Sequence, residues 1–261
     1  MKNLLAGAAL FALGAVAVWL ARPAVVEAQS PRVYELRTYH CMPGRLEALK
    51  TRFRDHTTKL FEKHGMTNIG YWTPSPNPEN KLIYLLAYPS REARAASWKG
   101  FLADPDWKKA AAESEANGKI VSKVEARFMT TTDFSPEFPQ AAGGAGRLFE
   151  LRILTAAPGN LPALQARFRD HALALSAKHG IGNLHLWQLM PDQKDADATF
   201  ISLHAHADAA AAKASYAAFL ADPAWIEAKK ASEEKAGGSL TTVPDGIKSI
   251  FMKPTDYSPM K

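Results

Sequence analysis

His185, His204, His206 and Glu150 are the residues of this sequence whose types and spacing come nearest to chemistry. His204 and His206 stand two apart, with Ser202 two before them, and in an extended segment the three side chains share one face. Two imidazoles and a carboxylate are the ingredients of a metal triad or of an acid–base site. They serve equally in a ligand pocket without metal, or as polar side chains that only hold the fold. His-x-His pairs arise by chance, so the residue types leave these readings open and specify no metal.

Charged pairs come next. Glu35 and Arg37 alternate with Tyr34 and Leu36, so both charges fall on one face of a strand, and Glu150 with Arg152 repeats them. Such a pair can grip an anionic or polar ligand, or it can be an ion pair that serves the fold. Cys41 is the lone cysteine, which excludes an intrachain disulfide and a cysteine metal cage, and no base in nearby sequence marks it as a nucleophile. There is no Gly-rich phosphate loop, nucleophile elbow or His-Glu-x-x-His, so the cofactor is left unspecified.

The elements that must position these residues are written twice. Tyr34-Glu35-Leu36-Arg37 returns as Phe149-Glu150-Leu151-Arg152, and Arg52-Phe53-Arg54-Asp55-His56 as Arg167-Phe168-Arg169-Asp170-His171. Between 34–72 and 149–187, 19 of 39 positions agree without a gap, far beyond chance, so the halves share one ancestor and one fold. Further on, Phe101-Leu102-Ala103-Asp104-Pro105 with Trp107 matches Phe219-Leu220-Ala221-Asp222-Pro223 with Trp225. Asp133-Phe134-Ser135-Pro136 matches Asp256-Tyr257-Ser258-Pro259. Residues 139–146 read as a flexible Gly/Ala linker between a first module, 31–138, and a second, 147–261.

Each copy reads β-α-β-β-α-β. Residues 32–39 alternate and open with β-formers. Pro43-Gly44 turns into a helix with the stripe Leu46, Leu49, Phe53 and Leu60, where His56 is expected to be half-buried, as is His171 in the repeat. Lys63-His64-Gly65 ends it. Strands at 68–73 and 81–88, a helix at 90–103, a helical segment near 105–117 opened by Asp104 and Pro105, and a strand near 123–130 complete the copy. That order is α+β, the ferredoxin-like unit, with helices on one face of a four-stranded antiparallel sheet. Two such units can cover each other's free face, pairing their sheets into an α+β barrel.

On the third strand Ile83, Leu85 and Ala87 match Ile201, Leu203 and Ala205, whereas Tyr84, Leu86 and Tyr88 become Ser202, His204 and His206. An unchanged apolar face suits packing under helices. The divergent face is therefore expected to line the barrel lumen, with His185, His204, His206 and Glu150 on one wall and Tyr84 and Tyr88 opposite. Glu35, Arg37, Glu150 and Arg152 are then expected inside the barrel around a ligand, or as ion pairs at a barrel end or module interface.

Tyr34-Glu35-Leu36-Arg37-Thr38-Tyr39 followed by Pro43-Gly44, together with the Phe-Leu-Ala-Asp-Pro-x-Trp stretch of each copy, resembles the NIPSNAP family of the dimeric α+β barrel superfamily. The resemblance covers about 32–136 and again 147–259. It implies modules that pair into a barrel, and no agreed catalytic residues. The best-known family members are mitochondrial proteins linked to trafficking and mitophagy signalling, and an exported chain would depart from them. The resemblance leaves a small-ligand-binding or scaffold protein without assignable catalysis. Its alternative is an oxygenase, isomerase or haem-handling protein, as other barrel families are, using the second module's histidines.

Residues 1–30 differ from the rest. Lys2, an uncharged run from Leu4 to Leu20, Arg22-Pro23, and Val26-Glu27-Ala28 before Gln29 have the layout of a secretory signal, or of an uncleaved N-terminal anchor. An exported protein, periplasmic or secreted, is expected. A chain of 261 residues with 47% hydrophobic and 22% charged residues is not disordered, collagen-like or polytopic. The net charge of +6 is scattered, which argues against nucleic acid. The expected partners are a small-molecule ligand and a second copy of the chain, with no membrane contact beyond the N-terminal segment.

Overall fold

Alternation in Val33–Cys41 (β1) sends Tyr34 and Leu36 to one side of a sheet and Glu35 and Arg37 to the other. The structure is a computed structural model and describes residues 32–138 and 146–261. The expected signal or anchor at 1–30 and nearly all of the linker lie outside the described residues. After β1 the first module continues with helix α1 (46–63), β2 (Thr67–Pro74), β3 (Lys81–Tyr88), α2 (Arg91–Ala103), α3 (Pro105–Ser114) and β4 (Val121–Thr131). The second repeats it with β5 (Leu148–Thr155), α4 (161–178), β6 (Gly182–Leu189), β7 (Thr199–His206), α5 (Ala209–Ala221), α6 (Pro223–Ala236) and β8 (Ile247–Pro254). No described helix is long and apolar enough to cross a membrane.

Local signals set the helix ends. Ser90 and Asp208 accept from the third residue onward at the starts of α2 and α5, and Asp104 and Asp222 cap α3 and α6 ahead of a proline. Gly65 and Gly180 leave α1 and α4 with φ of +76° and +80°, a left-handed turn that suits glycine. His64 and His179 donate to those capping aspartates at 2.7 Å, a structural role. One expectation fails here: His56 and His171 are exposed. Phe53–Thr57 and Phe168–Ala172 form a π-helical turn, whose extra residue rotates the histidines outward and brings Thr57 and Ala172 inward.

The eight strands close a barrel in the order β1-β3-β2-β8-β5-β7-β6-β4, with every neighbouring pair antiparallel. β3 and β7 each lie between the first and second strands of their module, as expected. The seams are β2 with β8 and β4 with β6, so closure needs no second chain. Reciprocal clasps reinforce them. Ser135 Oγ accepts from Leu186 N and Ser258 Oγ from Tyr71 N, each at 2.9 Å and each in the other module. Asp133 pairs with Arg169 and Asp256 with Arg54 across the same boundary. Phe134 packs on Phe200, and Tyr257 on Phe53 and Tyr71.

The lumen corrects the expectation drawn from the third strands. Ile83, Leu85 and Ala87 meet Ile201, Leu203 and Ala205 there, in one apolar cluster with Trp72, Phe149 and Trp187. Tyr84, Leu86 and Tyr88 lie on the opposite side, under α1 and α2, and His204 under α4 and α5. The physical reason lies in the barrel. Its inner faces pack on each other, so copies of the same strand must stay matched in size, whereas each outer face packs only on its own helices and can diverge. The lumen is largely filled, with a cavity of about 220 Å³ at the end beside the Pro74–Pro78 loop.

Candidate functional site

Between the sheet and its helices each module buries a carboxylate. In the first, Glu35 is fully buried and accepts from Arg94 Nη2 at 2.8 Å, Arg94 Nε at 3.1 Å, Tyr88 OH at 3.0 Å and Trp98 Nε1 at 3.2 Å, and also from Arg37 Nη1. Burial alone would raise its pKa, but Arg94 and Arg37 hold it below the usual carboxylate range. Arg37 is itself used up: Nε donates to Tyr84 OH at 2.8 Å, Nη2 reaches Tyr39 OH at 3.4 Å, and the guanidinium lies 4.4 Å over the Trp98 ring. The cluster is closed, an ion pair under helix α2 rather than inside the barrel, at its end or at the module interface.

The second module rebuilds the same place with different residues. Glu150 Oε2 accepts from His206 Nε2 at 2.9 Å and Tyr216 OH at 2.7 Å. A carboxylate only accepts, so His206 carries its proton on Nε2 in this contact. Against the burial that opposes ionisation, hydrogen bonds from His206, Ser249 and Tyr216 and the charge of Arg152 bring Glu150 down to about 2. Arg152 sits farther off, its Nε 3.7 Å from Glu150, with Nη1 donating to Tyr216 OH at 3.2 Å.

One step along β7, Ser202 Oγ and His204 Nε2 are 2.7 Å apart. Burial, then the neighbouring Arg152, pushes His204 down to about 3, so it is neutral at physiological pH. No described residue orients its Nδ1. A serine–histidine pair whose imidazole resists protonation and lacks a third partner is a poor nucleophile–base couple. It suits hydrogen bonding instead.

Above these residues a cavity of about 450 Å³ opens between β7 and α4, α5 and α6. Arg152 and His204 form its floor, and Leu154, Phe168, Phe219 and Trp225 its apolar wall. The first module has a cleft of about 340 Å³ in the matching place, lined by Arg37, Tyr39, Phe61 and Trp98 but not reaching β3. Phe61 stands where the second module has Ser176, Tyr39 where it has Leu154, and Trp98 where it has Tyr216. Smaller side chains carry the second cleft down to β7, whereas the first stops at β1.

Of the singled-out residues, only Arg152 and His204 line this cavity. Glu150, Ser202 and His206 stand behind them, while Glu35, Arg37, Tyr84 and Tyr88 belong to the other module's cluster. His185 does not join the group. A register shift in β6 between Asn183 and His185 turns its ring toward Tyr34, Phe138 and Trp187, with Thr131 Oγ1 3.0 Å from Nε2. Among the described residues no three His, Cys, Asp or Glu side chains gather to hold a metal ion. Cys41 is buried, and burial raises its thiol to about 11, which keeps it protonated. Sequence reasoning missed Tyr216, Arg94 and Trp98. The pairing of α2 with the alanine-rich α5 carried that signal, since Arg94 faces Ala212 and Trp98 faces Tyr216 in the repeat.

Residues 34–136 match the NIPSNAP family. No curated protein matches the chain. Among solved structures, a proposed monooxygenase of Fusobacterium nucleatum is similar over 86% of this chain and 93% of its own, with a TM-score of 0.56 and 10% identity. A proposed monooxygenase of Lactobacillus acidophilus follows at 0.50 and 9%, over 86% and 94%. An uncharacterised NIPSNAP-like domain protein of Burkholderia xenovorans covers 42% of this chain and 93% of its own at 21% identity, with a TM-score of 0.38. The full-length likenesses bear out the α+β barrel and, at such identities, speak to fold alone.

Proposed function

We propose, for a chain whose residues 34–136 are a NIPSNAP domain, that the second module binds a small molecule between its sheet and helices while the first module and the filled lumen act as scaffold. One observation carries this reading. Matched positions in the two copies differ so that only the second cleft reaches its third strand, at His204, beside the arginine of the first strand that both clefts touch. A volume of about 450 Å³ with apolar walls and few polar groups is in the range of small-molecule sites. No catalytic step is assigned, because the one serine–histidine pair among the described residues lacks a working base.

Titration with the neutral dye N-phenylnaphthylamine tests it. The wild-type protein is expected to bind one dye per chain with enhanced emission. The His204→Leu, Ser176→Phe variant, carrying the first module's residues, is expected not to bind. Equal binding by a folded variant would overturn the reading.

Residues 1–30 are proposed to export the protein, on the layout of Lys2, the uncharged run and Val26-Glu27-Ala28. Intact mass of the native product is expected to place its first residue at Gln29, or to retain the segment on a membrane-bound species; a cytosolic species retaining Met1 refutes export.

A further inference from the structure

We infer that the second-module cavity takes an amphipathic carboxylate, its acid group on Arg152 and its apolar body along Phe168, Phe219 and Trp225. This rests on the ligand-binding reading above and names the class of ligand.

The comparison between modules shows what has been released. Arg37 spends its hydrogens on Glu35, Tyr84 and Tyr39. At the matched positions Ser202 replaces Tyr84 and Leu154 replaces Tyr39, so both of those phenol acceptors are gone and Arg152 keeps only Tyr216 OH among the described residues, from Nη1 at 3.2 Å. Glu150 does not take up the slack, because His206 and Tyr216 already hold it and Arg152 stays 3.7 Å away. Arg152 Nε is left buried without a partner among the described residues. His204 is 2% exposed, and its Nδ1 is likewise unpartnered. Both atoms are sealed from the cavity, but the Arg152 side chain as a whole is 18% exposed where it lines it, and Nη1 alone is taken up, by Tyr216 OH, so Nη2 is free to meet an occupant.

The occupant's chemistry follows from its surroundings. Arg167 and Lys229 also line the cavity against Glu233 as its one acid, so the lining is net positive. A planar guanidinium fork matches a planar carboxylate. The rim is apolar and exposed: Leu220 at 58%, Val243 at 77% and Ile247 at 47% stand at the mouth. Such an entrance suits an alkyl or aryl chain and disfavours a sugar or nucleotide.

The experiment displaces N-phenylnaphthylamine from the full-length protein at neutral pH with dodecanoate or dodecanol, which share a chain and differ in charge. Dodecanoate is expected to bind at least about tenfold more tightly. Arg152→Met is expected to abolish that preference and leave dodecanol within about twofold of wild type. Ser202→Tyr returns the first module's phenol to the arginine and is expected to weaken dodecanoate alone, which guards against misfolding of the Arg152 variant. Equal affinities of the wild type for acid and alcohol would overturn the carboxylate assignment and leave the cavity reading standing. If dye and both ligands fail to bind, both readings fall.

Discussion

His206 Nε2 lies 2.9 Å from Glu150 Oε2, in the place where the first module sets the Tyr88 hydroxyl 3.0 Å from Glu35 Oε2. The two copies therefore share a buried acid and differ in what satisfies it. Two arginines, a tyrosine and a tryptophan surround Glu35, whereas Glu150 relies on His206, Tyr216 and Ser249 with one arginine at a distance. Each strand ties its acid to the helix above, so the motif fixes helix on sheet before it does anything else.

That role has a measurable size. Glu35→Leu would leave Arg37 and Arg94 facing each other without their carboxylate, and removing one partner of a buried ion pair costs about 3–5 kcal/mol. A fall of that order in unfolding free energy, read from urea denaturation, is expected. A loss below about 1 kcal/mol would show that the cluster does not hold the helix.

Stability should fall on acidification well before the carboxylates titrate. Burial holds His204 at about 3 and His185 at about 4, against 6.5 for a free imidazole. A depressed histidine is neutral in the folded chain and protonated in the unfolded one between those values. The unfolded state then binds more protons, so stability is complete above pH 6.5 and declines as the pH drops below it. Each histidine adds a slope of about 1.4 kcal/mol per pH unit. Urea midpoints between about pH 5.5, above which free carboxylates stay ionised, and pH 6.5 should therefore slope with pH. His204→Leu is expected to remove about half of that slope, and an unchanged slope would mean that His204 is protonated in the folded protein.

Much of this was legible in the sequence. The repeat, the β-α-β-β-α-β order, the caps at Asp104 and Asp222 and the glycine stops at Gly65 and Gly180 all depend on local chemistry that residue types announce. The direction of the divergent face was not legible. Period two separates Tyr84 and Tyr88 from Ile83 and Leu85, but it does not say which set meets the helices, and both sets are apolar enough for either side. The bulge that turns His185 away from His204 and the π-helical turn that exposes His56 are single-residue insertions in hydrogen-bond registers, and no side-chain pattern marks them.

The seams predict one cooperative transition. Trp72 of β2 packs 5.6 Å from Phe149 of β5 inside the lumen, so the two modules share the core inside the barrel. Trp72→Ala is expected to cost about 3–5 kcal/mol. It should lower the midpoint seen by circular dichroism and by tryptophan fluorescence together, without splitting the transition. Two separated transitions would mean that the modules fold independently.

The final expectation concerns Ser176, whose place in the first module is taken by Phe61. Phe61 is buried against Trp98 and Phe101, with ring centroids 5.5 and 4.9 Å away. Ser176 leaves that volume to the cavity and accepts a hydrogen bond from Asn183 Nδ2 at 2.8 Å. Ser176→Phe would lose that bond and the one Ser176 Oγ donates to Leu173 O at 3.1 Å, about 1 kcal/mol each, but Asn183 would keep Leu173 O at 3.2 Å. Burying a phenyl ring against Phe219 contributes about 1.5–3 kcal/mol in the opposite direction. The variant should therefore melt near or above the wild-type temperature while no longer enhancing N-phenylnaphthylamine emission. Binding lost while stability holds is the signature of an open site that the first module has closed. A variant that loses stability and keeps the dye would place the binding site elsewhere.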